Sequence, residues 1–234
     1  MAQLVLALDL PRKDAALAMA RTVKGRVPWC KVGMELFTIA GPDMLAELKD
    51  MGFKVFLDLK FYDIPHTVGR AVAACARMGV DLLTLHCQGG GRMCREAVLA
   101  ASTTEDAVTR PMLFGVTVLT SFAAGEMPGI GLAPGEFALE LAGQAQAWGL
   151  TGVVCSGEEV ASIKRAAPGL ACLCPGIRLA DAASDDQRRV MTPGRAVTLG
   201  ADYLVVGRPI LQAENPVAAC ERILQEMQTD IPQR

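Results

Sequence analysis

The feature that most limits what this chain can fold into is an eightfold alternation of short apolar runs with longer segments of helical period. The runs cover residues 4–10, 30–36, 55–61, 82–87, 112–119, 152–155, 171–177 and 203–206. Each is followed by an amphipathic stretch: 14–23, 42–51, one opening at Pro65 and closing at Met78-Gly79, 92–101, 136–148, 158–167, 193–199 and 216–227. The runs are nearly continuous in Leu, Val and Ile, with little of the polar alternation of a half-exposed strand. Strands covered by helices on both faces read this way. Glycine follows the helical stretch at Gly52, Gly79, Gly149 and Gly200, as expected of helix C-terminal stops. Eight strand–helix units in 234 residues predict a single-domain α/β fold, the (β/α)8 barrel, more naturally than an open doubly wound sheet.

Composition narrows the class of partner. Apolar residues make up 51% of the chain, enough for a large core. With 23 basic and 25 acidic residues, no basic run and no basic–aromatic interleaving, neither nucleic acid nor an anionic membrane is an expected partner. An anionic small molecule must then be held by a few placed residues. The eight cysteines include no Cys-x-x-Cys pair, and His66 and His86 are the only histidines. Reduced cysteines packed as small apolar groups are expected, with no disulfide framework and no metal. The N-terminus has no basic leader region, and the 4–10 run is too short for a span, so a cytoplasmic protein is expected.

Barrel active sites lie at the C-terminal ends of the strands. The polar residues there are Asp9, Lys31, Asp58, Lys60, His86, Thr120, Arg178 and Arg208. Strand periodicity puts Asp58 and Lys60 on one face of the third strand, where unpaired charges would be strongly unfavourable. Asp9 and Lys31 on the preceding strands can pair with them, which predicts an alternating acid–base cluster. Such a cluster is either a structural ion-pair network or a reaction centre, and four charges on three successive strand tips favour the latter. Three aspartates (Asp9, Asp58, Asp63) could ligate Mg2+, but the interleaved lysines oppose it. Asp63 can equally serve as an anion near the start of the helix opening at Pro65. Gly207-Arg208 closes the eighth strand, where barrels commonly bind phosphate, and Pro175-Gly-Ile-Arg178 brings a second arginine to the neighbouring strand end. Connections 121–134 and 179–192, the latter carrying Gln187, are longer than the barrel needs and suggest binding loops. His86 suits a packing or supporting role, and Gly89-Gly90-Gly91 either admits a ligand or makes a tight turn.

These residues resemble a known family. Asp58-Leu-Lys60-Phe-Tyr-Asp63-Ile64-Pro-x-Thr67 is similar to the signature of the orotidine 5′-phosphate decarboxylases. Leu8-Asp9, Lys31-Val-Gly, Val118-Leu-Thr120-Ser, Pro175-Gly-Ile-Arg178, Asp186-Gln187-Arg-Arg and Gly207-Arg208-Pro-Ile agree with it, so the likeness runs from Asp9 to Arg208. Asp-x-Lys-x-x-Asp by itself is shared with sugar-phosphate barrels such as keto-gulonate-phosphate decarboxylases and hexulose-phosphate synthases, which use Mg2+. The departure is the His86-Cys-Gln-Gly turn, where smaller residues are usual. The resemblance implies conversion of orotidine 5′-monophosphate to UMP and CO2, the last step of de novo UMP synthesis, without metal or organic cofactor. It implies Lys60 as proton donor to pyrimidine C6, with Asp58, Lys31 and Asp63 completing the catalytic array. Asp9 and Lys31 would bind the ribose and Thr120 would lie by the pyrimidine. Gln187, Gly207 and Arg208 would hold the phosphate, with Arg178 near the closing loop and Ile64 among the substrate contacts. A homodimer is also implied, with Asp63 and Thr67 reaching into the partner's site.

Overall fold

A computed structural model describes residues 1–179 and 191–229. Eight strands, β1 (Gln3–Ala7), β2 (Trp29–Gly33), β3 (Lys54–Phe61), β4 (Leu82–His86), β5 (Met112–Val116), β6 (Gly152–Val154), β7 (Ala171–Cys174) and β8 (Tyr203–Val206), pair in chain order and in parallel. The barrel closes through β1 and β8, with Leu4 opposite Leu204 and Leu6 opposite Val206. The helices α1 (Lys13–Val23), α2 (Met34–Asp50), α3 (Pro65–Arg77), α4 (Gly90–Thr103), α5 (Pro134–Ala147), α6 (Val160–Ala166), α7 (Pro193–Thr198), α8 (Arg208–Leu211) and α9 (Pro216–Thr229) connect the strands or follow the last one. The expected (β/α)8 barrel is the observed fold.

Two apolar layers explain the continuous runs. Side chains facing the barrel axis (Val5, Trp29, Phe56, Leu82, Phe114, Leu173 and Val205) fill the interior. Alternate residues on the same strands, such as Leu4, Leu6, Cys30, Val32, Val55 and Leu57, pack outward against the helices. Because both faces are covered, both positions of the two-residue period are apolar. Tyr203 meets Trp29 and Phe114 edge-on, each at 5.6 Å, and closes the interior toward the N-terminal end. The interior is therefore solid at one end, and any cavity must open at the other.

Ionic residues at the two ends of the barrel are used differently. At the N-terminal end Asp81 accepts from Lys49 (2.8 Å) and from the backbone N–H of Val55 (2.7 Å). Asp202 likewise accepts from Lys164 and from the N–H of Cys172, both at 2.7 Å. These carboxylates tie a helix to strand backbones, which is a stabilising role.

Several expected boundaries are corrected. The 30–36 run is strand only as far as Gly33, and Met34 begins α2. That helix is kinked at Gly41 (φ 60°, ψ −159°), the residue before Pro42. Proline excludes the helical conformation from its predecessor, so the sequence reading recovered only the half after the kink. Runs 4–10, 112–119 and 171–177 leave the sheet at Ala7, Val116 and Cys174, and past these ends Val118, Leu119, Pro175 and Gly176 line the cavity at the C-terminal mouth. The single turn α8 is too short for periodicity to reveal.

Candidate active site

A cavity of about 610 Å³ opens at the C-terminal mouth. Its floor is apolar, formed by Ala7, Phe56, Val116, Val154, Leu173 and Val205. Above them the walls carry Asp9, Lys31, Asp58 and Lys60 on one side, Thr120 and Ser121 beyond β5, and Arg178, Gly207 and Arg208 beyond β7 and β8. A few polar groups converging over an apolar floor is the usual form of a small-molecule site.

The four charges form one chain. Lys31 Nζ lies 2.9 Å from Asp9 Oδ1 and 3.6 Å from Asp58 Oδ2. Lys60 Nζ lies 2.9 Å from both Asp58 oxygens. Burial opposes ionisation of Asp58, but the attraction of Lys31 and Lys60, with hydrogen bonds from Lys60 and Thr84, outweighs it and holds the carboxyl below its ordinary range. Asp58 is therefore ionised between the two lysines, and this pairing offsets its desolvation. Gly33 leaves room for this pair: a Cβ at this position would stand 3.1 Å from Lys31 Nζ and 3.2 Å from Asp9 Oδ1 and would press on both.

The strand does not deliver Lys60 by regular alternation. Leu57 pairs with Leu83 on β4, and the next pairing is Phe61 with Leu85. Three residues, 58–60, thus stand against Thr84 alone. Lys60 has φ 53°, the only positive φ of a non-glycine residue among the described residues. Such a conformation is unfavourable by roughly 1–2 kcal/mol and is characteristic of functional sites. The expectation that Asp58 and Lys60 meet is fulfilled, but through a bulge that re-aims the lysine.

Thr84 is a site residue that the sequence reading missed. Its hydroxyl donates to Asp58 Oδ1 (2.8 Å) and accepts the backbone N–H of Lys60 (3.0 Å). The available signal was a hydroxyl inside the apolar run Leu82-Leu-Thr-Leu-His86. His86 follows on the same strand, with its ring 5.7 Å from that of Tyr62. Burial and the Lys60 ammonium hold its pKa below the ordinary imidazole range, against the pull of Asp58. His86 is therefore neutral at pH 7, in keeping with a supporting role. The glycine triplet makes a tight turn: Gly90 has φ 79°, and Gly89 and Gly91 are crowded by Met93 and Trp148. It is not part of the cavity wall.

Asp63, Ile64 and Thr67 do not join the cavity of their own chain. All three are exposed. Asp63 accepts the N–H of Ile64 (2.6 Å) at the start of α3, the anion-at-helix-start arrangement left open by the sequence. On the far wall Arg178 donates to the carbonyl of Ile177 (2.9 Å). The base of the connection beyond it is pinched by a bridge between Ile177 and Met191. Gln187 lies outside the described residues. Among the described residues no three His, Cys, Asp or Glu side chains form a group that could hold a metal ion.

Comparison with known proteins gives one consistent result. Residues 2–223 match the model of the orotidine 5′-phosphate decarboxylase / HUMPS family. The orotidine 5′-phosphate decarboxylase of Nitratidesulfovibrio vulgaris (strain DP4) is 54% identical over 233 residues, covering 97% of this chain and 98% of that protein. The Lawsonia intracellularis protein of the same name is 50% identical over 225 residues, covering 96% and 98%. Among solved structures, the orotidine 5′-phosphate decarboxylase from Lactobacillus acidophilus superposes with a TM-score of 0.86 at 34% identity, covering 98% of this chain and all of that one. With its motifs, its closed barrel and its full-length relatives in agreement, the chain belongs to the orotidine 5′-phosphate decarboxylase / HUMPS family.

Proposed function

We propose that this chain, acting as a single barrel domain, decarboxylates orotidine 5′-monophosphate to UMP and CO2, the last step of de novo UMP synthesis, with no metal or organic cofactor. The observation that carries this reading is the Asp9–Lys31–Asp58–Lys60 chain of ion pairs above an apolar cavity floor. Loss of CO2 leaves a carbanion at an sp2 carbon with no adjacent carbonyl to delocalise it. Without an organic electron sink the protein itself must stabilise that charge. Two of the three N–H donors of Lys60 go to Asp58, and the third serves C6, first as a fixed positive charge and then as the proton. Such an interaction is stronger in the transition state than in the ground state, which is what lowers the barrier. The reduction required is on the order of 20 kcal/mol. Asp58 sits beside the departing carboxylate, and Asp9 with Lys31 takes the ribose hydroxyls. Thr120 contacts the pyrimidine, and Gly207, Arg208, Arg178 and Gln187 surround the phosphate. A Mg2+-dependent sugar-phosphate reaction is the alternative within the same family, and turnover of orotidine 5′-monophosphate in EDTA distinguishes the two.

The site is completed across a homodimer in the same proposal, with Asp63, Ile64 and Thr67 serving the partner's cavity. Their position outside their own cavity supports this, as do the neighbouring exposed apolar side chains Tyr62 (61% exposed) and Ile64 (66%). Mixing inactive Lys60→Ala and Asp63→Ala proteins under conditions of verified subunit exchange is expected to restore roughly a quarter of wild-type activity. Half the dimers are then mixed, and each has one intact site. No recovery would place Asp63 in its own chain's site. Eight buried cysteines, all free, support work in the reducing cytoplasm. Among the described residues no helix is long and apolar enough to cross a membrane.

A further inference from the structure

We propose that Thr84 is a positioning residue for the decarboxylation: its buried hydroxyl closes a ring with Asp58 and Lys60 that fixes where the Lys60 ammonium points. The inference rests on the functional reading above and adds a residue to it. Thr84 is 1% exposed and does not line the cavity, so it acts on the substrate only through its two partners. The direction of each hydrogen bond is determined by chemistry. The backbone N–H of Lys60 can only donate, so the Thr84 oxygen must accept it (3.0 Å). The single hydroxyl proton is then committed to Asp58 Oδ1 (2.8 Å). Asp58 accepts from Lys60 Nζ with both oxygens, which closes the ring from the lysine backbone to the tip of the same side chain.

The bulge explains why a hydroxyl is required. Residues 58–60 face the single residue 84, so the Lys60 N–H has lost its place in the regular ladder. An unpaired N–H in a buried strand is unfavourable. The Thr84 side chain supplies the acceptor and stabilises the left-handed backbone that turns Lys60 into the mouth. The same contact favours ionised Asp58. One hydroxyl thus maintains both the direction of the proton donor and the charge of its partner.

The test compares Thr84→Val, which keeps the shape, with Thr84→Ser and Thr84→Ala, which lose the same methyl and differ only in the hydroxyl. For the Val and Ala variants the single-turnover rate on orotidine 5′-monophosphate is expected to fall about 30-fold, as for a lost hydrogen bond to a charged group. The affinity for UMP should change less than about threefold, because no ligand contact is removed. The acid limb of the rate profile should move to higher pH, because Asp58 has lost a donor that favours its anion. Thr84→Ser should stay within about threefold of wild type. If Val fails to fold, the Ser–Ala pair decides. A wild-type rate in Ala, equal losses in Ser and Ala, or a slower Ala variant with an unmoved acid limb would overturn the inference. A wild-type chain that does not turn over the substrate, or a fully active Lys60→Ala, would instead overturn the functional reading on which it rests.

Discussion

Lys60→Ala is expected to lose turnover by about 10⁵-fold while retaining native circular dichroism. Loss of a preorganised charge at the developing carbanion accounts for roughly 10²–10³ of this, and loss of the proton donor for roughly 10²–10⁴. The fold should survive because Lys60 stands at the open mouth and Asp58 keeps Lys31 and Thr84 as partners. The residual Asp58 carboxylate has less opposing charge, so its pKa rises toward the ordinary range. A folded, active Lys60→Ala protein, purified free of host enzyme, would remove the lysine from the chemistry.

The second large effect is expected at Arg208. Arg208→Ala should lower kcat/KM for orotidine 5′-monophosphate by roughly 10³-fold, about 4 kcal/mol, as for a bidentate charge-assisted contact with phosphate. Orotidine, which lacks the phosphate, should be turned over almost as well by the variant as by wild type. This pairing isolates binding energy drawn from a part of the substrate remote from C6. Equal losses on both substrates would assign Arg208 to the fold or to the chemical step instead.

Much of this architecture was legible in the residues because burial on both strand faces leaves a strong trace. The eight runs gave eight strands, and the polar residues at their ends, His86 excepted, line the cavity. Strand ends were read too long at 4–10, 112–119 and 171–177, since the apolar residues just past the ladder are as hydrophobic as those within it. The first half of α2 was hidden because Met34, Leu36, Phe37 and Ile39 carry the apolar character of β2 on past Gly33. In the site, charge complementarity sufficed to group Asp9, Lys31, Asp58 and Lys60. The way Lys60 reaches Asp58 was not legible, because a two-residue period presumes a regular strand and the observed one is bulged opposite Thr84. Thr84 itself was overlooked, since a threonine within a strand is ordinary and only the bulge, which takes the Lys60 N–H out of the ladder, gives its hydroxyl a donor to accept. Asp63, Ile64 and Thr67 lie just past the end of β3 but do not line the cavity of their own chain, which their spacing from Asp58 did not reveal.

The most direct measurement is the fate of C6. The protein, purified and assayed with EDTA in D2O, is given orotidine 5′-monophosphate, and the product is followed by its ultraviolet change and by proton NMR. The expected result is stoichiometric UMP carrying a single deuterium at C6, formed at the same rate with or without added Mg2+. Absence of UMP in EDTA with recovery on Mg2+ addition, or no conversion of this substrate under either condition, would contradict cofactor-free decarboxylation at the Asp58–Lys60 centre.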